Sequence, residues 1–372
     1  MKLLHIAECA GGVDRYLRLL LPLLESRFKQ VLVCSQHYSP QNYLNIVDKV
    51  VQMEMDQSFS LKKIYKQVVL LRSILKKEEP DIIYCHSSFA GGIGRLASIG
   101  FKHKIVYNPH GWAFNIPYGL KPRFYILLER ILARKTDKII AISNFEKQNA
   151  IRHGIAKAEK IDVIFSGIDI DETAINSQDI SITRESLRIP DNAFLVGMSA
   201  RICETKAPDI FVEAASMIIK EIPEAFFMFI GDGELKNEIE KLIKKKGLDS
   251  YFVITGWVEN PLPYIKLLDT GLLLSRWEGF GLALVEYMRL EVPIVATRVC
   301  AIPDLITSEY NGLLVEMDNY KQVAEAVIRI KKSDSLKDKL KRNGLSVVNS
   351  KFDIHRVAMQ HMELFNTLFD YI

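Results

Sequence analysis

Ser275-Arg276-Trp277-Glu278-Gly279-Phe280-Gly281-Leu282-Ala283-Leu284-Val285-Glu286 follows directly on the apolar run Gly271 to Leu274. The run reads as a buried strand and the residues from Gly281 onward as a helix, so Gly279 and Gly281 occupy the tight turn of a β–α unit. Such a helix aims free N–H groups and the positive end of its dipole at whatever lies before it, and a phosphate fits there. An ordinary strand-to-helix turn would carry the same residues, so turn chemistry alone leaves both readings open. The two carboxylates narrow the chemistry. Eight residues along a helix separate Glu278 from Glu286 by ~12 Å at ~1.5 Å per residue. That exceeds the ~5 to 9.5 Å used by the acid pairs of glycoside hydrolases. The spacing suits two contacts to different parts of one long ligand, Glu286 on a ribose diol and Glu278 near a diphosphate and sugar.

Outward from this unit the same rhythm continues. Phe194 to Met198, Phe226 to Ile230, Phe252 to Thr255 and Pro293 to Ala296 are each followed by a helix-like stretch. So are Leu3 to Ala7, Val31 to Cys34, Ile82 to Cys85, Ile105 to Tyr107 and Ile139 to Ile142. This is the pattern of parallel α/β sheets. It halts at a polar segment that opens with Ser166-Gly167-Ile168-Asp169 and closes with Pro190-Asp191-Asn192. The reading is two Rossmann-like domains, 1–165 and 193–351, joined by a linker at 166–192. A length of 372 residues accommodates two cores. Ligands of open α/β sheets bind beyond the carboxyl ends of the strands, where the informative residues of this chain fall.

The composition, 48% hydrophobic and 25% charged without low-complexity tracts, is that of a soluble globular protein. Cys9, Cys34, Cys85, Cys203 and Cys300 are odd in number and form no C-x-x-C pair, which fits buried thiols in a reducing compartment. Glu8 interrupts the apolar start where a signal peptide would continue, and no stretch approaches the ~20 apolar residues of a membrane span, so a cytoplasmic protein is expected. The net charge of +4 conceals an asymmetry: residues 1–165 hold 25 Lys+Arg against 14 Asp+Glu, or +11, which leaves −7 for the rest. A basic half marks a surface for an anionic partner, nucleic acid or an anionic membrane leaflet. Two segments, Leu61 to Lys77 and Lys121 to Lys135, combine an apolar stripe with basic residues. Each is either a peripheral lipid contact or a core-facing helix with a solvated basic face.

The E-x7-E spacing of Glu278 and Glu286 around Gly-Phe-Gly-Leu resembles the motif of the family 4 glycosyltransferases, and the resemblance extends over nearly the whole chain. Gly11-Gly12 looks like that family's N-terminal glycine loop and His110-Gly111 like its mid-domain histidine. Arg201 with Lys206 resembles its basic pair, Gly231-Asp232-Gly233 its turn in the C-terminal domain, and Asn311-Gly312-Leu313-Leu314-Val315 its late strand. The resemblance implies a GT-B fold, two Rossmann-like domains facing each other across a cleft, with residues 352–372 forming a helix that crosses back to the N-terminal domain. It implies a retaining transferase that takes a sugar from a nucleotide-diphosphate donor, with a UDP-sugar favoured. Arg201, Lys206, Glu278 and His110 are the expected catalytic residues. Glu286, Gly279, Phe280, Gly281, Leu282 and Gly231 are expected on the donor nucleotide, and Gly11 and Gly12 on the acceptor or a phosphate.

Physics supports the basic pair: a leaving nucleoside diphosphate gains negative charge as the glycosidic bond breaks, and fixed cations lower that barrier. A metal is not expected to do this work. The only D-x-D, Asp169-Ile170-Asp171, lies in the linker, and no other ligand-spaced cluster exists. Gly91-Gly92-Ile93-Gly94 lacks G-x-G-x-x-G spacing and reads as helix packing.

The family's surface-polysaccharide members use lipid-linked acceptors. The basic half is therefore expected to hold a lipid-linked saccharide at the inner face of an anionic membrane, without nucleic acid, and the acidic half to hold the nucleotide. The chain departs from the family at Tyr287, Arg289 and Glu291, where small residues are usual, and at Ala200, Ala207 and Cys300-Ala301, where glycines are. A GT-B-fold epimerase or synthase, or a catalytically inactive binding module, would keep the same fold.

Overall fold

The computed structural model describes residues 1–8, 12–24, 27–56, 60–115, 121–170 and 182–369, with the side chain of Lys121 excepted. Gly11, Cys9 and Asp171 lie outside these residues. The chain divides into two compact units, Met1–Gly167 with Ile354–Ile372, and Ile168–Asp353.

In the first unit the strands β1 (Lys2–Ala7), β2 (Lys29–Cys34), β3 (Lys49–Gln52), β4 (Ile82–His86), β5 (Lys104–Asn108), β6 (Lys138–Ala141) and β7 (Ile161–Val163) alternate with α1 (Gly12–Leu24), α2 (Leu61–Glu78), α3 (Ser88–Ala97), α4 (Lys121–Ala133) and α5 (Asn144–Arg152). They form one parallel seven-stranded sheet in the order β3-β2-β1-β4-β5-β6-β7. Helix α1 buries Val13, Tyr16, Leu17, Leu20, Leu21 and Leu24, a stripe at helical spacing, on one face of the sheet. Helices α2 to α5 cover the other face. There Gly91 and Gly94 let α3 lie close on the sheet: a Cβ would meet the Tyr107 ring at 2.2 Å and Cys85 Sγ at 2.6 Å. The buried pair Arg95–Glu129, with two N–H···O bonds of 2.8 and 3.0 Å, ties α3 to α4.

In the second unit β8 (Phe194–Ser199), α6 (Pro208–Glu221), β9 (Ala225–Ile230), α7 (Lys236–Lys245), β10 (Phe252–Ile254), α8 (Leu262–Ile265), β11 (Thr270–Leu273), α9 (Leu282–Arg289), β12 (Ile294–Thr297), α10 (Ile302–Leu305), β13 (Leu313–Val315), α11 (Tyr320–Lys332) and α12 (Asp334–Lys351) follow in turn. The parallel six-stranded sheet runs β10-β9-β8-β11-β12-β13. The last helix, α13 (Ile354–Thr367), packs on α1 in the first unit through Ile354, Val357, Ala358, Leu364 and Phe365.

The chain passes into the second unit at Ile168, which pairs with Asp353, and Arg184 reaches the Asp269 carboxylate at 2.9 Å. Strands β3 and β7 have no counterpart in the expected runs. Both are edge strands, and β3 is nowhere fully buried, so neither needs the apolar run by which the central strands announce themselves.

Candidate functional site

Both sheets reverse their strand order, between β1 and β4 in the first unit and between β8 and β11 in the second, which is where open α/β sheets bind ligands. In the second unit the loops after β8, β9 and β11 gather there. The loop after β8 carries Arg201 and then a single 3-10 turn, Glu204–Lys206, ended by Ala207 in the left-handed region at φ 49°. It is joined to the loop after β9 backbone to backbone: Ile202 N–H donates to Asp232 O at 2.9 Å and Leu235 N–H to Ile202 O at 3.1 Å. That approach requires glycine, since a Cβ on Gly231 would lie 2.3 Å from Ala200 O and one on Gly233 2.3 Å from Ile202 O. Gly231, expected against the nucleotide, also supports the Arg201 loop.

The turn after β11 holds the rest. Gly281 adopts φ 96° as the cap of α9, a conformation costly for any residue with a Cβ. Leu282 opens the helix. Gly279 is buried, as is Phe280, whose ring meets Phe352 edge to face at 5.7 Å. Glu278 is buried; its carboxylate accepts from Ser275 Oγ at 3.2 Å and pairs with the Lys206 ammonium. Two expected residues, 72 positions apart in sequence, therefore meet. Glu286 lies one turn into α9, also buried. Arg201 is 71% exposed and bridges Glu234 at 3.0 Å, a surface contact of ~0–1 kcal/mol that leaves the guanidinium at little cost to an anion.

Arg276, quoted in the motif but given no role by it, holds this arrangement. Its Nε donates to Asp318 at 2.7 Å, Nη1 to Glu204 O at 2.8 Å and Nη2 to Asp209 at 2.8 Å, while its own N–H donates to Thr205 O at 2.8 Å. The planar fork thereby fixes the turn bearing Lys206 to the turn bearing Glu278. Tyr287, a departure from the family, has a place too. Its hydroxyl accepts from Ser199 N–H at 2.7 Å and donates to Leu272 O at 3.2 Å, joining β8 to β11, and its ring fills the space that a Cβ on Gly271 would need. Cys300 at φ 47° and Ala207 at φ 49° occupy left-handed positions, which is why glycine is usual there.

In the first unit Gly12 begins α1 with open space where its Cβ would be. His110, at φ 51° after β5, donates its backbone N–H to Asn108 Oδ1 at 2.9 Å, and Tyr16 packs edge-on to its ring at 4.9 Å. Its Nε2 lies 3.1 Å from His86 Nδ1, and His86 Nε2 lies 3.2 Å from His5 Nδ1. Beside them the His361 Nε2 receives Tyr16 and Tyr84 hydroxyls at 2.8 and 3.1 Å, its Nδ1 facing Val357 O at 2.7 Å. Burial lowers His5 and His110 to about 3 and His361 to about 4, and His86 well below the ordinary histidine value, so all four are neutral. The signal for part of this network was present in the sequence: His5 and His86 are histidines within otherwise apolar strands. Burial likewise raises the Cys34 and Cys85 thiols, to about 11 and about 12. No group of three or more His, Cys, Asp or Glu among the described residues is arranged to hold a metal ion.

Comparison with known proteins identifies the family. Residues 10–172 match the family described as Glycosyltransferase Family 4, and residues 179–347 match Glycosyl transferases group 1. The UDP-Gal:alpha-D-GlcNAc-diphosphoundecaprenol alpha-1,3-galactosyltransferase of Escherichia coli is 30% identical over 342 residues, covering 89% of this chain and 88% of that protein. The capsular polysaccharide biosynthesis glycosyltransferase CapM of Staphylococcus aureus is 25% identical over 348 residues, 90% and 89% of the two chains. The crystal structure of Anabaena Alr3699/HepE in complex with UDP shares the fold, with a TM-score of 0.84 at 21% identity over 99% of this chain and 100% of that one. With matching family models over both units, a full-length relative at this identity and a GT-B neighbour, the chain belongs to the family 4 glycosyltransferases.

Proposed function

We propose that this glycosyltransferase moves a sugar from UDP-sugar to a lipid-linked saccharide in surface-polysaccharide synthesis, with retention of anomeric configuration and without a metal. The meeting of Lys206 and Glu278 beneath the cap of α9 carries the reading. Residues 193–351 hold the nucleotide, with Glu286 on the ribose and Arg201 and Lys206 on the diphosphate. The cations oppose the charge that grows as the sugar–phosphate bond breaks. Glu278, already engaged by Lys206 and Ser275, is poorly disposed as a nucleophile, which favours attack by the acceptor hydroxyl on the face the diphosphate leaves. The new bond forms from acceptor oxygen to the anomeric carbon, the electron pair of the broken bond goes to the diphosphate, and the departing phosphate takes the acceptor's proton. His110 contacts the sugar, and Gly11 and Gly12 border the acceptor. The nucleotide and the acceptor class follow the E. coli relative, whose name specifies UDP-Gal and a diphosphoundecaprenol-linked substrate.

The first unit, residues 1–165 with the terminal helix, would meet the acceptor at the cytoplasmic membrane face. In α2 the residues Leu61, Tyr65 and Val69, spaced four apart, point to solvent among Lys62, Lys63 and Lys66. In α4 Phe124, Leu127 and Ile131 do so among Arg123, Arg130, Arg134 and Lys135. The helices bury other faces, so these stripes are not core, and α2 and α4 lie in the same layer on either side of α3. No described helix is long and apolar enough to cross a membrane. Replacing Leu61, Tyr65, Phe124 and Leu127 with serine should remove binding to phosphatidylglycerol vesicles in a sedimentation assay. Undiminished binding would sink the membrane contact.

Titration of the chain with UDP, GDP and dTDP in EDTA tests the donor site. UDP should bind, and an Arg201→Ala/Lys206→Ala double variant should not. Binding of none of the three by the intact chain would overturn the reading.

A further inference from the structure

The three histidines His5, His86 and His110 stand on β1, at the end of β4 and after β5, three neighbouring positions across the sheet. Their N···N distances are 3.2 and 3.1 Å, the ring centroids are 5.5 and 5.4 Å apart, and the ring planes differ by only 19° and 26°. The centroid separations exceed the N···N distances by two ring radii, so each pair of nitrogens lies on the line joining the ring centres. This is the geometry of in-plane N–H···N hydrogen bonds run head to tail. A neutral imidazole has one N–H and one lone pair, so a chain of this kind has a single direction throughout: the proton position on one ring dictates the next.

The inner end sets that direction. His5 Nε2 and Gln30 Oε1 are both buried, and neither has a hydrogen-bond partner within ordinary distance among the described residues. Gln30 stands opposite Leu3 in the β1–β2 register, one diagonal step from His5 on the same sheet face. Its amide nitrogen is committed to Leu21 O at 2.9 Å, which leaves its oxygen, an acceptor only, as the side-chain atom that His5 can engage. With the proton on Nδ1, His5 would set its Nε2 lone pair against that oxygen, two buried acceptors without a hydrogen between them. With the proton on Nε2, His5 offers Nδ1 as acceptor to His86 Nε2–H, and His86 offers Nδ1 to His110 Nε2–H. His110 Nδ1 then remains as a lone pair, with no partner among the described residues.

We infer that Gln30, His5 and His86 are positioning residues that fix the His110 proton on Nε2, so that His110 presents an acceptor and takes a hydroxyl hydrogen of its ligand rather than an anionic oxygen. This deepens the sugar-contact role given above to His110 and rests on it for its consequence, though not for its geometry. A sugar hydroxyl satisfies such an acceptor; a phosphate oxygen would meet it lone pair to lone pair.

Long-range 1H–15N correlation spectra of the full chain labelled with 15N-histidine test this, with His110 assigned through His110→Asn. The intact chain should show His5, His86 and His110 all as the Nε2–H form. Gln30→Met, which keeps side-chain length but supplies only a weak acceptor, should turn His110 into a mixture of the two tautomers. Turnover of whichever nucleotide-sugar the chain accepts should then fall three- to tenfold, with UDP affinity unchanged. An Nδ1–H form at His110 in the intact chain overturns the inference without any variant, and so does a Gln30→Met spectrum identical to the parent. If the tautomers are as expected but His110→Asn leaves donor turnover unaltered, the directed chain stands and the sugar contact of His110 falls.

Discussion

The two units solve one problem with opposite chemistry. At the switch point of the first sheet the polar groups are uncharged: the buried His5, His86 and His361 and the half-buried His110 join Tyr16, Tyr84 and Asn108 in a hydrogen-bonded network. At the switch point of the second, the groups are ions: Lys206 with Glu278, and Arg276 between Asp209 and Asp318. All eight histidines of the chain fall in the first unit and none in the second. A neutral network holds shape without creating a field, which suits a surface that recognises hydroxyls. Fixed ions create a field, which suits a surface that must stabilise charge as it develops. The second arrangement works only if the ions are held in place, and the Arg276 fork does this by tying the turn of Lys206 to the turn of Glu278.

The largest effect should come from the charges of the second unit. Lys206→Ala removes the cation and leaves the buried Glu278 carboxylate with Ser275 Oγ as its side-chain partner among the described residues. Transfer should fall by ~10²–10³, the usual loss when one preorganised group at the developing charge is removed. The effect should be on kcat as much as on KM. A loss confined to KM would show that Lys206 binds the ground state alone and would blunt the contrast between the units.

Acid should break the first unit before the second. The folded-state values of His5, His86, His110 and His361 lie below the ordinary 6.5, so the unfolded chain binds protons first as pH falls. Their stabilising contribution is complete above about pH 6.5 and declines below it by ~1.4 kcal/mol per histidine per pH unit, until the folded values near 3 to 4 are reached. Glu146, raised by burial to about 7, works the other way, gaining stability as pH falls from 7 toward 4.5 and offsetting roughly one histidine. Calorimetry of the full chain between pH 7 and 5 should show the transition reported by Trp112 fluorescence moving down steeply while the other holds. His361→Gln should flatten that slope by about one histidine. Equal softening of both transitions would erase the distinction.

How far these arrangements were legible in sequence depends on whether a residue acts through its neighbours along the chain or across it. The strands were legible because buried parallel strands are continuous apolar runs, and Ile82 to His86 or Phe194 to Ser199 admit no other reading. Lys206 and Glu278 were named separately through a resemblance, but that they touch is a fact of topology. Gly231 was assigned to the nucleotide through the resemblance alone; that a Cβ there would meet the Ala200 carbonyl is a fact of the loop's packing that no spacing shows. Arg276 went unread because its partners lie 42, 67 and 72 positions away, and one arginine in a turn gives no sign of three acceptors converging on it. His86 was passed over because His5, to which it bonds, lies 81 residues earlier.

Arg276→Lys should have the smallest effect of the three, and it sharpens the comparison most. Charge is retained, but an ammonium cannot span Asp318, the Glu204 carbonyl and Asp209 as the fork does. With two acceptors released at a partly exposed position, stability should drop by ~1–2 kcal/mol. The turn holding Lys206 should loosen, lowering kcat by roughly tenfold, since a misplacement of about 1 Å can cost more than that. The decisive arm places Arg276→Lys in a Lys206→Ala background. If the arginine acts by positioning the lysine, the second substitution has little left to disturb and the two losses fall well short of multiplying. Losses that multiply fully would make Arg276 a general brace of the second unit, and its ions would then hold shape much as the histidines of the first unit do.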